Sequence, residues 1–285
     1  MSVGIFVGLD VGGTKCMAAA AVDGKIVTKV RYPTPENLDE GLGLLQRMTT
    51  EVAQGQKIRA IGAAVGGPLD WQTGIVSPLH QPEWNQVPLC EIFQNRFGCP
   101  FYVDVDTNVA AWGEFKYGRH NVDSLFYMTM STGVGGGFIH NGRLFRGAGG
   151  EHPEVGHHAI PARCTFPDRV KCDCGARFCA ESLISGTGIE RIYNKPGEAL
   201  TPDEWAEVSW NLGQVLRNIA SFYAPAVIAL GGGVAVGGGQ EMVEMANKAM
   251  LVDLKLVTAP EIKLSTLGYD TALYGALALA EDGHL

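Results

Sequence analysis

A glycine-rich turn carrying a hydroxyl residue separates two apolar stretches at two places in the chain, and this repetition constrains the fold most strongly. The first is "GLDVGGTK", where Asp10 precedes the turn at residues 12–14, and the second is "MSTGVGGG", with its turn at residues 131–133. Glycines in such turns permit positive φ and let backbone N–H groups approach an anion. Two turns of this kind facing each other would hold a polyphosphate from both sides.

Hydrophobic periodicity predicts the strands and helices that flank each turn. Alternating apolar residues in "VGIFVGLDVG" and "CMAAAAVDGKIVTKVRY" predict three antiparallel strands, the first starting at residue 3. A helix in "NLDEGLGLLQRMTTEVAQ" and a buried strand in "IRAIGAAV" then predict a parallel crossover. The order recurs in the strand "PFYVDV", the helix "DTNVAAWGEFKYG" and the hairpin-rich "LFYMTMSTGVGGGFIHNGRL".

The second half of the chain repeats this α/β pattern. Thr201 and Glu204 form a predicted capping box at the start of a long helix, and the strand "AVIALGGG" follows. We therefore predict an α/β fold of two lobes, residues 1–120 and 121–269, with a helix in 270–285 that packs back on the first lobe. A cleft between two such lobes is the natural ligand site.

Composition and charge limit the partners. The 285 residues carry 22 Lys and Arg against 30 Asp and Glu, a net charge of −8, which argues against nucleic acid. The N-terminus lacks the features of a secretory signal, and no apolar run reaches the ~18 residues of a membrane span. These patterns predict a cytoplasmic protein that does not contact a membrane.

Four of the seven cysteines lie close together, at positions 164, 172, 174 and 179. Disulfides, a redox centre and a metal site are all chemically consistent with such a cluster, but an odd total and a reducing cytosol favour metal. Cys172, Cys174 and Cys179, with His157 upstream, supply three thiolates and one imidazole, a set that suits structural Zn²⁺. Unligated cysteines on a polar loop are the alternative. Cys164 is left without a role.

A third glycine run, residues 231–233, ends the strand "AVIAL", where a nucleoside could lie against bare backbone. Each glycine run taken alone is equally consistent with a simple tight turn. None matches the G-x-x-x-x-G-K-[ST] loop or a G-x-G-x-x-G that opens a helix.

The segments "GLDVGGTK", "STGVGGG", "PEVGH" and "CDCGARFCAE" together resemble the ROK family of sugar kinases and sugar-responsive repressors, over residues from about 4 to about 280. The resemblance implies the two-lobed actin-like (ribonuclease H-like) ATPase fold, a homodimer, ATP, and Mg²⁺ organised by Asp10 through water. The nucleotide-binding residues implied by the turns and the resemblance are Asp10, Gly12, Gly13, Thr14, Lys15, Thr132, Gly133, Gly231, Gly232 and Gly233. Repressors of the family carry a DNA-binding domain before the first strand, and a strand starting at residue 3 predicts none here.

The resemblance also implies the sugar site. Zinc would pin a long loop and place Glu154 and Glu181 against sugar hydroxyls, with His157 and Gly67 in the same site. Asp106, between a strand and a helix, is the candidate general base that accepts the proton of the sugar hydroxyl. An Asp at such a junction is also a common N-cap. The family has Asn before this Asp to bond a sugar hydroxyl, whereas this chain has Val105.

Three functions are consistent with these residues. The favoured one is an ATP-dependent kinase that phosphorylates a primary hydroxyl of a hexose or an N-acetylated hexose. Val105 favours a different class, a catalytically weak sugar-binding or regulatory protein, whereas Asp10, Asp106 and both phosphate turns favour the enzyme. A zinc hydrolase fits poorly because three thiolates and an imidazole leave no open coordination position.

Overall fold

The computed structural model describes residues 4–283 and contains two compact units. The first unit takes the chain up to Arg119 together with the segment from Asp270 onward, and the second takes His120–Tyr269. The predicted strand start at residue 3 and the last two residues of the predicted 270–285 segment lie outside the described residues. None of the helices described in residues 4–283 is both long and apolar enough to cross a membrane.

The first unit is centred on a mixed five-stranded sheet. Its elements up to Arg119 are β1 (Ile5–Val11), β2 (Lys15–Val22), β3 (Lys25–Pro33), α1 (Leu38–Ala53), β4 (Ile58–Val65), β5 (Leu69–Asp70), β6 (Ile75–Val76), β7 (Val87–Pro88), α2 (Leu89–Phe97), β8 (Phe101–Val105) and α3 (Asp106–Tyr117). The sheet order is β3-β2-β1-β4-β8, with β1–β3 antiparallel and β4 and β8 parallel to β1. The predicted antiparallel strands and parallel crossover are confirmed.

Local sequence explains where the predicted crossover helix begins. Asn37 caps α1, and its side-chain oxygen accepts hydrogen bonds from the backbone N–H groups of Asp39 and Glu40 at 2.9 and 3.2 Å. The helix then buries one apolar stripe, including Leu45 and Met48, against the sheet. The short strands β5–β7 form a separate small sheet. They were not anticipated, because two residues are too few to display a strand period.

The second unit repeats the design of the first. Its elements are β9 (Leu125–Met130), β10 (Val134–His140), β11 (Arg143–Leu144), α4 (Ala180–Ile184), α5 (Gly186–Tyr193), α6 (Pro202–Tyr223), β12 (Val227–Gly231), α7 (Gly233–Asp253) and β13 (Glu261–Leu264), with short 3₁₀ turns at Pro167–Arg169, Gly197–Ala199 and, at the unit boundary, Gly268–Asp270. The order is β11-β10-β9-β12-β13, with β12 parallel to β9. In both units a hairpin is followed by a parallel strand. The capping box of Thr201 and Glu204 at the start of α6 is confirmed.

The last helix, α8 (Thr271–Asp282), packs in the first unit against β1, β4 and α3. Glycines let the backbones approach closely. A side chain at Gly275 would overlap the carbonyl oxygen of Val109 in α3, and one at Gly62 in β4 would overlap the carbonyl oxygen of Ala276. This packing brings the beginnings of α3 and α8 and the end of β1 into one region of the first unit.

Candidate functional site

Asp10 lies near the end of β1, where the burial and charges around it disfavour its ionised form. The pKa of Asp10 is raised to about 7, mainly by burial and then by the negative charges of Asp106 and Asp270, while the charge of Lys15 acts in the opposite direction. These three carboxylates come from β1, α3 and the N-cap of α8. Because a neighbouring cation would relieve their repulsion, the donor chemistry fits Mg²⁺ at Asp10.

The first glycine turn follows Asp10 directly. Gly12 donates its N–H to the carbonyl oxygen of Lys15 at 3.0 Å, which closes the hairpin between β1 and β2. Thr34 supports the turn, because its hydroxyl donates to the carbonyl oxygen of Gly12 at 2.6 Å and its N–H donates to that of Thr14 at 3.1 Å. Gly13 and Thr14 are exposed at the tip. The turn is therefore held on one side and open to an anion on the other.

Asp106 is the first residue of α3 and is exposed. Its Oδ1 accepts a hydrogen bond from the N–H of Thr107 at 2.7 Å. The N-cap position belongs to Val105, which makes no side-chain cap. Asp106 is therefore not the N-cap that its position in the sequence also allowed, and its carboxylate lies in the first turn, where the helix dipole favours negative charge.

Gly67 adjoins Val105, the residue before Asp106. A Cβ atom built on Gly67 would lie 3.9 and 4.0 Å from the two methyl groups of Val105. The carbonyl oxygen of Gly67 accepts the N–H of Leu79 at 3.0 Å, and the Gly67–Pro68 peptide bond is cis. Val105 therefore faces Gly67 with its methyl groups, beside Asp106 in the chain.

The second glycine turn joins β9 to β10 in the other unit. Ser131 donates its N–H to the carbonyl oxygen of Gly133 at 2.9 Å, and the beginning of α5 supports the turn through the N–H groups of Gly186 and Thr187. Glu181 reaches the same place, because its Oε2 accepts the N–H of Val134 at 3.0 Å. A predicted phosphate turn and a predicted sugar carboxylate are thus neighbours, although 47 residues separate Glu181 from Val134.

The predicted metal ligands are brought together. One donor atom from each of His157, Cys172, Cys174 and Cys179 lies within 4.8 Å of all the others. None of the seven cysteines forms a disulfide. A set of three sulfurs and one imidazole nitrogen at these separations fits tetrahedral Zn²⁺, which these four residues would hold.

The predicted sugar residues of the second unit lie around this cluster. Glu181 Oε1 is 3.5 Å from the Cys172 sulfur, and Glu154 Oε2 is 4.0 Å from His157 Nε2. Glu154 is exposed, and its hydrogen bond with His152 lowers the pKa of the Glu154 carboxyl, which keeps it ionised. Two carboxylates and the imidazole of His157 therefore form one polar group beside the second glycine turn.

The third glycine run occupies a junction that sequence reasoning described only in part. Gly231 ends β12, Gly232 has φ of 88°, and Gly233 opens α7. A side chain at Gly232 would overlap the carbonyl oxygen of Met130, which ends β9. The run therefore lies beside the second glycine turn and also opens a helix. Glycine's low helix propensity hid that helix from the sequence pattern.

A protein-family model described as the ROK family matches residues 6–283. The chain belongs to the ROK family. Glucokinase from Streptomyces coelicolor is 28% identical to this ROK protein, with 98% of each covered. A putative fructokinase from Bacillus subtilis is 33% identical, over 80% of this chain and 76% of its own.

A solved structure gives the same fold. The ROK family glucokinase from Streptomyces griseus, in complex with glucose and AMPPNP, superposes with a TM-score of 0.82 at 26% identity, covering 98% of this chain and 100% of its own. The predicted family and the predicted α/β actin-like ATPase fold are confirmed.

Two features of the ROK site escaped sequence reasoning. The contact of Glu181 with the second glycine turn depends on how the loop that carries the cysteine cluster returns to the sheet, which no local pattern encodes. The second is Asp104, which lies inside β8, where strand periodicity alone assigns it no function. An Asp that interrupts a buried strand is nevertheless a signal, because a buried carboxylate needs hydrogen-bond donors nearby.

Proposed function

We propose that this ROK-family sugar kinase transfers the γ-phosphoryl group of ATP to a primary hydroxyl of a hexose, with Asp106 as the general base. The observation that carries the proposal is the pairing of Asp106, exposed at the start of α3, with Asp10 at the end of β1, close enough for their charges to interact. The glucokinase and fructokinase relatives support ATP and a hexose as substrates.

The base role follows from the chemistry of Asp106. Phosphoryl transfer needs the acceptor oxygen in line and its proton removed as the bond to phosphorus forms. A carboxylate within hydrogen-bond reach of that hydroxyl accepts the proton and orients the oxygen. The hydrogen bond from Thr107 to Oδ1 holds the Asp106 side chain against the helix and restricts the orientation of its carboxylate.

The remaining predicted residues divide between nucleotide and sugar. In the first unit, the turn at residues 12–14 and Lys15 would bind phosphate, and Asp10 would hold water on Mg²⁺, which supplies charge neutralisation when bound. In the second unit, Thr132 and Gly133 would bind phosphate, and the nucleoside would lie along residues 231–233. Backbone N–H groups at glycine turns suit both tasks.

Sugar hydroxyls would be bound by Glu154, His157 and Glu181, with Gly67 allowing close approach in the first unit. The ligand set of the cysteine cluster supports a structural zinc that fixes the loop carrying these residues. Carboxylates accept two hydrogen bonds each, and paired contacts of this kind distinguish epimers. A homodimer, a cytosolic location and the absence of nucleic-acid or membrane partners stay predictions.

Val105 favours a second candidate, a sugar-binding or regulatory protein with weak phosphoryl transfer. Its methyl groups cannot bond a hydroxyl beside the one that reacts. A hydroxyl left unpaired in a closed site costs about 1–3 kcal/mol, or roughly 5- to 150-fold in affinity. Thermal shift separates the candidates, since a pure sugar binder responds to sugar and not to Mg-ATP.

The deciding experiment measures ADP release with Mg-ATP across a panel of hexoses and N-acetylated hexoses. Asp106→Asn should lower kcat by about 10²- to 10⁴-fold and leave folding intact, because the amide oxygen still accepts the Thr107 N–H. Asp203→Asn is the matched control, since Asp203 is also exposed in the first turn of a helix, α6. Sugar-dependent turnover retained in Asp106→Asn would refute the base assignment, and no turnover by the wild type would favour the binder.

A further inference from the structure

Asp104, the penultimate residue of β8, is a buried carboxylate that the proposed reaction does not use. Its side chain is only 2% exposed. Its Oδ1 accepts a hydrogen bond from the N–H of Val105 at 2.7 Å and a second from Nδ2 of Asn108 at 3.1 Å. Burying a carboxylate is costly unless donors compensate it, and here the Val105 N–H and the Asn108 side chain donate to it from the start of α3.

Asp104 ties the end of β8 to the start of α3 through the Val105 N–H and the Asn108 side chain. Val105 at the N-cap has an apolar side chain that makes no cap. The carboxylate one residue earlier binds the N-cap N–H and, through Asn108, the first turn of the helix. Asn108 is fully buried, and its side-chain Oδ1 has no hydrogen-bond partner within residues 4–283, whereas its side-chain Nδ2 donates to Asp104. The negative charge also suits the positive end of the helix dipole.

We propose that Asp104 is the positioning residue for Asp106. Asp106 lies between the two groups that Asp104 binds, Val105 on one side and Asn108 on the other. When Val105 and Asn108 are both held, the direction in which Asp106 projects its carboxylate is also held. A misplacement of about 1 Å at a reacting group can cost roughly 100-fold in rate. The inference rests on the proposed role of Asp106 as the base.

The test compares three variants of the full chain in the ADP-release assay. Asp104→Ala removes the acceptor and should lower kcat about 10- to 100-fold, while KM for ATP and for the sugar changes less than about threefold. Asp104→Asn keeps an acceptor oxygen of the same shape for the Val105 N–H and should restore most of kcat. Val52→Ala is the control for stability alone, because Val52 is a buried core residue in α1 of the same unit. It should lower Tm and leave kcat unchanged.

A double-mutant cycle decides whether Asp104 acts through Asp106. If it does, Asp104→Ala combined with Asp106→Asn should be no slower than Asp106→Asn alone, since residues acting as a unit are non-additive. Multiplicative losses, or an Asp104→Ala variant that loses Tm and keeps kcat as Val52→Ala does, would overturn the inference. Should Asp104→Ala fail to fold, the cycle is run with Asp104→Ser, whose shorter side chain keeps one oxygen. The same two outcomes would overturn the inference.

Amide hydrogen exchange supplies a readout independent of turnover. The N–H of Val105 should lose protection in Asp104→Ala and keep it in Asp104→Asn. If Asp106→Asn stays fully active, the base assignment fails while the exchange result still reports on the Asp104 contact. Unchanged protection of Val105 in Asp104→Ala would refute the contact itself.

Discussion

Replacing Gly275 by alanine tests the close packing of α8 that brings Asp10, Asp106 and Asp270 into one region. The new methyl carbon would overlap the carbonyl oxygen of Val109, lie 2.5 Å from its carbonyl carbon and 2.9 Å from its Cγ1. Ordinary carbon contacts begin near 3.4 Å, so α3 and α8 must separate by about 1 Å. Overpacking of this kind costs roughly 1–3 kcal/mol. The higher helix propensity of alanine offsets up to about 1 kcal/mol of this cost.

The expected net loss is up to about 2 kcal/mol, which lowers Tm by up to roughly 8 °C in scanning calorimetry. Gly237→Ala is the matched control, because Gly237 is also a helical glycine, in α7, and a Cβ there meets nothing within 4 Å. It should leave Tm unchanged or raise it by a few degrees. If the two variants shift Tm equally, packing against α3 does not require a glycine at position 275, and the reasoning fails.

Two further predictions concern the cysteine cluster and the sugar. Elemental analysis should find about one zinc per chain, and Cys174→Ser should lower both the zinc content and Tm, because three ligands hold the ion less tightly than four. Fully active protein without metal would contradict this. Val105→Asn should raise kcat/KM by about 5- to 150-fold for sugars that place a hydroxyl beside residue 105, and so change the order of preference in the hexose panel. An unchanged profile would show that Val105 does not set specificity.

Features encoded in short stretches of sequence were predictable. The capping box of Thr201 and Glu204 needs three residues of spacing, and the structure contains it. The three clustered cysteines follow one another closely in the sequence, so their spacing alone indicated a cluster, which the structure assembles with His157. The β1–β2 hairpin followed from alternating apolar residues and a turn, and its register is regular.

Features set by distant packing were not predictable. Glu181 meets the second glycine turn because α4 begins beside β10, and that adjacency joins segments far apart in sequence. The contact between Asp104 and Asn108 is local, but it joins a strand to the first turn of a helix, and neither the strand period nor the helix period describes that change of direction. The closeness of α8 to β4 is visible only when the space at Gly62 is measured.

The split of the first unit along the chain has a consequence during synthesis. The second unit, residues 120–269, is translated between α3 and α8, so it can be completed before the first unit receives its last helix. At about 5–20 residues per second, the nascent first unit waits on the order of ten to thirty seconds for α8 to emerge from the ribosome. During that interval the face of β1 and β4 that α8 later covers is open, with Ala64 and the small residues around it exposed to solvent and to chaperones.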